Sequence, residues 1–275
     1  MSPAPPQIFD PTLVRAHETR AARRRERGRE SFLLTRISSD LAERLQDVNR
    51  TFKRCLLIAP RGFEQTLLAE LPPPRHPARI DTALPSEHTR LSAPAATYDL
   101  VIGVLGLGLA SDPVGSLIEA RTKLVPDGLL LASFLGGETL RELRSALYTL
   151  DTATRGSPAP RIHPAIGHVE AGQLMARAGL ALPVIDVDRF TVRYRDLQTL
   201  VDDLRDAGLS SALAPQTPLP KNALARLDHR QEDGRYPTTY EILHLSGWHP
   251  HESQQKPLKP GSAQVSLADV MRPKS

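Results

Sequence analysis

The 275-residue chain has little of several things, and each shortage closes off a class of protein. Its single cysteine, Cys55, cannot form an internal disulfide, so a reducing compartment is expected, the cytoplasm. No apolar run approaches the ~20 residues a membrane helix needs. The first residues, MSPAPPQIFDP, lack an apolar core behind positive charges, so neither a transmembrane segment nor a secretory signal is expected. Aromatic side chains are few: one Trp, five Tyr and six Phe, a poor supply for stacking on bases. Charge of one sign is scarce as well, with a formal net charge of +4. Residues 1–30 hold seven arginines against Asp10, Glu18, Glu26 and Glu30, and the body beyond them is close to neutral.

Such an arginine-rich stretch can meet a nucleic acid, an acidic membrane surface or an acidic protein. It can also be a solvated helix whose arginines pair with Glu18, Glu26 and Glu30 at helical spacing. The near-neutral body and the few aromatics argue against a nucleic-acid partner.

Prolines are plentiful, 25 in all, and cluster near 72–77, 158–164, 215–220 and 250–260, where loops are expected. Between them the pattern alternates. Residues 11–29 read as a helix with few apolar positions. In 31–48, Leu34, Ile37, Leu41, Leu45 and Val48 recur at three and four, the stripe of an amphipathic helix. Phe52 to Ala59 reads as a strand, Phe63 to Leu71 as a helix, and 78–82 as a short strand. A continuous apolar run from residue 98 predicts a strand buried on both faces. Asp112 and Pro113 are the N-cap and first-turn signals of a helix over 112–124. VPDG then marks a turn, with a strand over 128–136 and a helix over 138–150. A helix over 169–180 ends at Gly179, and residues 183–194 alternate as a strand does. A helix over 196–208 and a strand over 238–248 close the pattern. Strands alternating with helices predict a parallel sheet covered on both faces.

Several stretches together resemble one family: IFDPTLVRAHETRAA (8–22), FLLTRISSDLAERLQDVNRTF (32–52), FLGGETLRELRSAL (134–147), PRIHPAIGHVEAGQLMARAGLALPVIDVDRFTVRY (160–194) and GWHPHESQQKP (247–257). The resemblance is to the methyltransferase-fold assembly factor of respiratory complex I and its alphaproteobacterial relatives. The LGGETLRELR segment and the GWHPHESQQKP tail are its specific parts. The biotin-pathway malonyl-carrier-protein methyltransferase is a more distant relative by the same resemblance. It implies an α/β fold with the Rossmann-like sheet of class I S-adenosylmethionine-dependent methyltransferases, helices on both faces and the last strand antiparallel. It further implies an N-terminal helical arm over 1–50, a methyltransferase-like domain over 51–248, a C-terminal tail over 249–275, and a protein subunit of NADH–quinone oxidoreductase as partner. The mitochondrial member of the family is described as hydroxylating an arginine.

By the same resemblance the cofactor would be S-adenosylmethionine, held at the turn after the first strand. That turn usually reads Asp-x-Gly-x-Gly, because glycines let the backbone approach the cofactor. Here Leu57 stands where the acid belongs and Ala59 where the first glycine belongs, followed by Pro60, Arg61 and Gly62. Asp81 is the candidate partner for the ribose hydroxyls, and the alternative is a turn-starting aspartate. The segment after residue 98 shows Val104, Gly108 and Leu109 where relatives carry polar or aromatic groups, with Leu105 among the cofactor contacts expected there. Gly106-x-Gly108 is too short for a phosphate loop. The cofactor candidates are thus Ala59, Arg61, Gly62, Asp81 and Leu105. About 38 residues separate the strand ending near 59 from the one beginning at 98, too few for two full βα units. One strand or helix there should be shortened or missing.

Arg161 and His163 lie where such folds carry their substrate-side insertion, and are the substrate-binding candidates. His244, His249 and His251 come without cysteine, and no metal site is expected. No catalytic residue can be named from residue order. Two functions stay open: a methyltransferase-family protein that modifies or chaperones a complex I subunit, and a scaffold that kept the fold without the cofactor.

Overall fold

The computed structural model describes residues 7–87, 90–227 and 229–255. Six strands form one sheet: β1 (Arg54–Ile58), β2 (Arg79–Ala83), β3 (Tyr98–Val104), β4 (Leu124–Leu135), β5 (Ala181–Tyr194) and β6 (Tyr236–Trp248). Their order is β2-β1-β3-β4-β6-β5. The first four pair in parallel, and β6 runs antiparallel to both neighbours. This is the Rossmann-like arrangement expected, with the last strand reversed. Between β1 and β3 only β2 and one α-helix, α3 (Phe63–Glu70), fit into the short stretch. Among the described residues no further strand lies there, in line with the expectation of a shortened or missing strand or helix.

Alternation along the strands sorts the core into two layers. Leu100, Ile102 and Val104 of β3 and Leu129 and Leu131 of β4 face one layer, with Leu33, Ile37 and Leu41 of α2 (Phe32–Asp47). The same layer takes Leu67 of α3, Leu147 of α5 (Arg141–Arg155) and Leu200 of α7 (Leu197–Asp206). The odd-out neighbours Val101, Leu130 and Ala132 face the other layer. There they meet Leu117 and Ala120 of α4 (Pro113–Lys123) and Met175 of α6 (His168–Arg177).

Local signals explain most element ends. Asp112 caps α4 through Gly115 N–H and Pro113 occupies its first turn. Two of the boundaries that differ from expectation have a local backbone cause. The VPDG turn lies inside one long strand, β4, because Asp127 absorbs the irregularity at φ +62° while pairing with β3 resumes after a register shift. Helix α5 begins at Arg141 rather than 138, since Leu140 sits in the left-handed region at φ +57°, and it continues to Arg155 before Gly156.

The arm is not a separate unit. Helix α2 belongs to the core, and its Arg36 and Arg44 pair with Asp188 and Asp186 on β5. Helix α1 (Pro11–Glu26) buries only His17, Ala21 and Ala22, yet is bound to the body. Its arginines do not pair with Glu18, Glu26 and Glu30 as helical spacing suggests. Instead Arg24 and, just beyond the helix, Arg29 grip the fully buried carboxylate of Asp206 at the end of α7. Arg24 also reaches Asp202, and Arg25 donates to the Asp206 carbonyl (2.8 Å). Residues 8–10 are tied to 212–214 by Asp10 N–H to Ala212 O and Ala214 N–H to Ile8 O.

The tail motif is anchored as far as it is described. Trp248 is partly buried against the first layer, with the Arg50 guanidinium 5.8 Å from its ring. His249 exchanges backbone hydrogen bonds with Asp127 and Gly128, and Gln254 donates to the Asp127 carboxylate (2.9 Å). Lys256 and Pro257 of the motif, with the rest of the tail, lie outside the described residues.

Asp206→Ala should therefore lower stability by about 2–3 kcal/mol, below the range for a fully enclosed pair because both arginines reach solvent. Denaturant midpoints at constant m-value measure it. An unchanged midpoint would show α1 to be a loosely held arm.

Candidate functional site

In open α/β sheets the ligand crevice lies beyond the carboxyl ends of the parallel strands, so the ends of β1, β2 and β3 define the candidate site. At β1, Ala59 N–H donates to Ala83 O (3.0 Å), and the chain turns through Pro60 and Arg61 into Gly62, which caps α3 at φ +84°. Leu57 is buried in the first core layer. A carboxylate there would face leucines, which is why an acid-for-leucine reversal at this position would bury a charge rather than rebuild a site.

At β3, Leu105 is buried and held at φ +62°, a conformation costly for a side chain with Cβ. The next residue, Gly106, lies so close to Pro85 that an added Cβ would stand 2.4 Å from Pro85 Cβ. Gly108 is packed equally closely on the Phe134 ring, with 2.7 Å available. The Gly106-x-Gly108 pair is thus explained by two close approaches, one between the loops after β2 and β3.

Helix α1 supplies the remaining wall. Glu18 accepts hydrogen bonds from Ser86 N–H (2.7 Å) and Ser86 Oγ (2.6 Å), and Arg25 donates to Arg61 O (3.2 Å). The crevice left between Pro60, Pro85, Leu105, Val14 and Glu18 has a volume of about 80 Å³. Of the cofactor candidates, Arg61 and Leu105 line it, while Ala59 and Gly62 stand beside them in the turn without lining it. Asp81 does not line it, because it lies mid-strand opposite Leu56, and its carboxylate takes Arg54 (3.2 Å), Arg79 (3.0 Å) and Tyr98 OH (2.9 Å). These residues depart from the pattern by which its class holds S-adenosylmethionine. No carboxylate ends β1 or β2, and Pro60 lacks an N–H donor.

A larger groove, about 540 Å³, opens beside the crevice across Leu109 and Leu209. Both substrate candidates line it. Arg161 makes a bidentate pair with buried Asp151 (2.6 and 2.7 Å) and donates to Thr217 O, so its charge is spent fastening the insertion. That pairing holds the Asp151 carboxyl below the usual carboxylate range. His163 accepts from Ala212 N–H at Nε2 (2.8 Å) and stands edge-on to Phe9, 5.1 Å between centroids. Burial, with His17 nearby, pushes it down to about 4.

One cluster has no signal in residue order. Ser133 on β4, His244 on β6 and Asp40 on α2 form a chain, with Ser133 Oγ to His244 Nδ1 at 3.1 Å and His244 Nε2 to Asp40 at 3.2 Å. Ser133 and His244 are buried mid-sheet, so the chain holds a helix to the sheet and offers no nucleophile. Burial, then Arg44, pushes His244 down to about 3. Among the described residues no group of three or more His, Cys, Asp or Glu side chains is placed to hold a metal.

No family model matches the chain. It is 33% identical to a Rattus norvegicus protein named arginine-hydroxylase NDUFAF5, mitochondrial, over 98% of this chain and 86% of that one. It is 30% identical to the malonyl-[acyl-carrier protein] O-methyltransferase of Laribacter hongkongensis, over 67% of this chain and 62% of that one. Of the solved structures, the YcgJ protein of Bacillus subtilis covers 78% of this chain with 99% of its own, at 12% identity and a TM-score of 0.45.

His163 and His244 both sit below their ordinary 6.5 in the folded chain. The unfolded chain takes up protons first, so stability is full above pH 6.5 and falls as pH drops towards the folded values. Between pH 7.5 and 5, His163 should cost about 1–2 kcal/mol. His163→Gln, whose amide oxygen can still accept from Ala212, should remove that part of the loss in urea titrations run against pH. An unchanged slope would show that the ring is solvated.

Proposed function

Since the chain belongs to the family of the NDUFAF5 arginine-hydroxylases, we propose that it is a divergent assembly factor of NADH–quinone oxidoreductase. On this reading it acts on a protein subunit, as a binding scaffold on a methyltransferase-like sheet rather than by methyl transfer. The observation that carries the reading is the crevice at the ends of β1, β2 and β3. It is narrowed by Pro85 against Gly106 and walled by α1 through Glu18 and Arg25. The neighbouring groove, with Arg161 and His163 in its wall, is where the subunit docks. Cytoplasmic action belongs to the same proposal. The buried thiol of Cys55 suits a reducing compartment, and among the described residues no helix is long and apolar enough to cross a membrane.

Losing the carboxylate that would meet the cofactor's ammonium group costs about 1.5–3 kcal/mol, and losing the ribose acid a comparable amount. Together these bring a micromolar site to roughly the millimolar range. Isothermal titration of the full chain with S-adenosylmethionine should therefore show a dissociation constant near or above about 1 mM. A value below about 50 µM would restore methyl transfer as the function. The chain should also capture a complex I subunit from solubilised membranes without added cofactor, and failure to do so would remove the scaffold role.

A further inference from the structure

The groove beside the crevice carries charge of one sign. None of its described lining residues is Asp or Glu. Arg161 and Arg205 are paired with Asp151 and Asp202. Arg20 on α1 and Arg144 on α5 are exposed and pair with no carboxylate among the described residues. Arg144 donates only to the carbonyls of Gly137 and Thr139 (both 3.2 Å). Behind them His17, only 9% exposed, lines the groove with Nδ1 lacking any partner. The surface between these groups is apolar, built by Leu140, Leu143, Leu147, Ile162 and Leu204.

Two guanidinium groups with no carboxylate partner among the described residues, above a leucine floor, complement carboxylates carried on an apolar backing. An arginine side chain entering the same groove would meet like charge and find no acid to receive it. We propose that the groove binds an acidic, apolar-faced segment of the partner subunit and rejects an arginine-bearing one. This rests on the reading that the subunit docks in the groove, and it names the chemistry of what docks. It separates this chain from an enzyme that would bring an arginine to this face. Arg20 and Arg144 set the specificity, and the leucines supply contact area.

The test uses the full chain with two short amphipathic peptides, one of leucine and glutamate and its leucine and lysine counterpart. Fluorescence anisotropy should show the acidic peptide binding and the lysine peptide at least about tenfold weaker, with the difference shrinking as salt rises. Arg20→Glu is the primary variant, since Arg20 is exposed on α1 and its replacement leaves the core alone. It should weaken the acidic peptide about tenfold or more and strengthen the lysine peptide. Equal or stronger binding of the lysine peptide overturns the proposal. So does acidic-peptide binding that Arg20→Glu leaves unchanged, or binding of neither peptide. If the chain still captures its complex I subunit in any of these cases, the scaffold function stands and only the acidic specificity falls. If capture fails too, both fall.

Discussion

A carboxylate without solvent contact at the end of α7 governs how the first helix of the chain is placed. Asp206 is fully buried, and an anion in that position is tolerated only when cations and donors surround it. Arg24 and Arg29 provide them, while Arg25 satisfies the carbonyl at the helix terminus, where positive charge is favoured. A helix with only three buried residues would otherwise have little reason to lie on the body. Once its last turn is fixed at Asp206, its middle passes over the ends of β1 and β2. There Glu18 engages Ser86. The closed crevice is thus a consequence of where one aspartate sits.

The same placement separates fold from chemistry. The sheet keeps the crossover pattern that makes a ligand crevice, and both core layers are filled by the strand alternation such a sheet requires. At positions where the resemblance expects cofactor contacts, this chain carries groups that pack or pair within the protein. Leu57 joins the core, Pro85 and Gly106 touch, and Asp81 serves Arg54, Arg79 and Tyr98. Retained architecture with an altered site is what a binding role on an enzyme scaffold would look like. The roomy surface lies instead one step away, between α1, α5 and α7, where the charge is positive and the floor apolar.

Polar residues that look chemical in isolation turn out to be fasteners. Arg161 locks the insertion onto Asp151, and Ser133, His244 and Asp40 pin α2 to the sheet. In the tail motif the backbone of His249, next to Trp248, and the Gln254 side chain join Asp127, so this stretch holds the left-handed residue inside β4. Buried polar chains of this kind tie elements together because each unpaired member would cost more than it contributes.

The sequence alone determined the alternation of strands and helices, the two-sided burial of β3 and β4, the caps at Asp112 and Gly179, and that the stretch between β1 and β3 is too short for two full βα units. All of these follow from periodicity, turn chemistry and residue counts, which are local. It also showed the weakened first loop, because Leu57, Ala59 and Pro60 are adjacent along the chain. What only the tertiary structure decided were contacts between residues far apart in sequence. Arg24 finds Asp206 and not Glu18 or Glu26, Glu18 finds Ser86, and Arg161 finds Asp151. Charge composition counts arginines and acids but cannot say which of them the fold brings within 4 Å, and that pairing is what closed the crevice and left Arg20 and Arg144 without a carboxylate among the described residues.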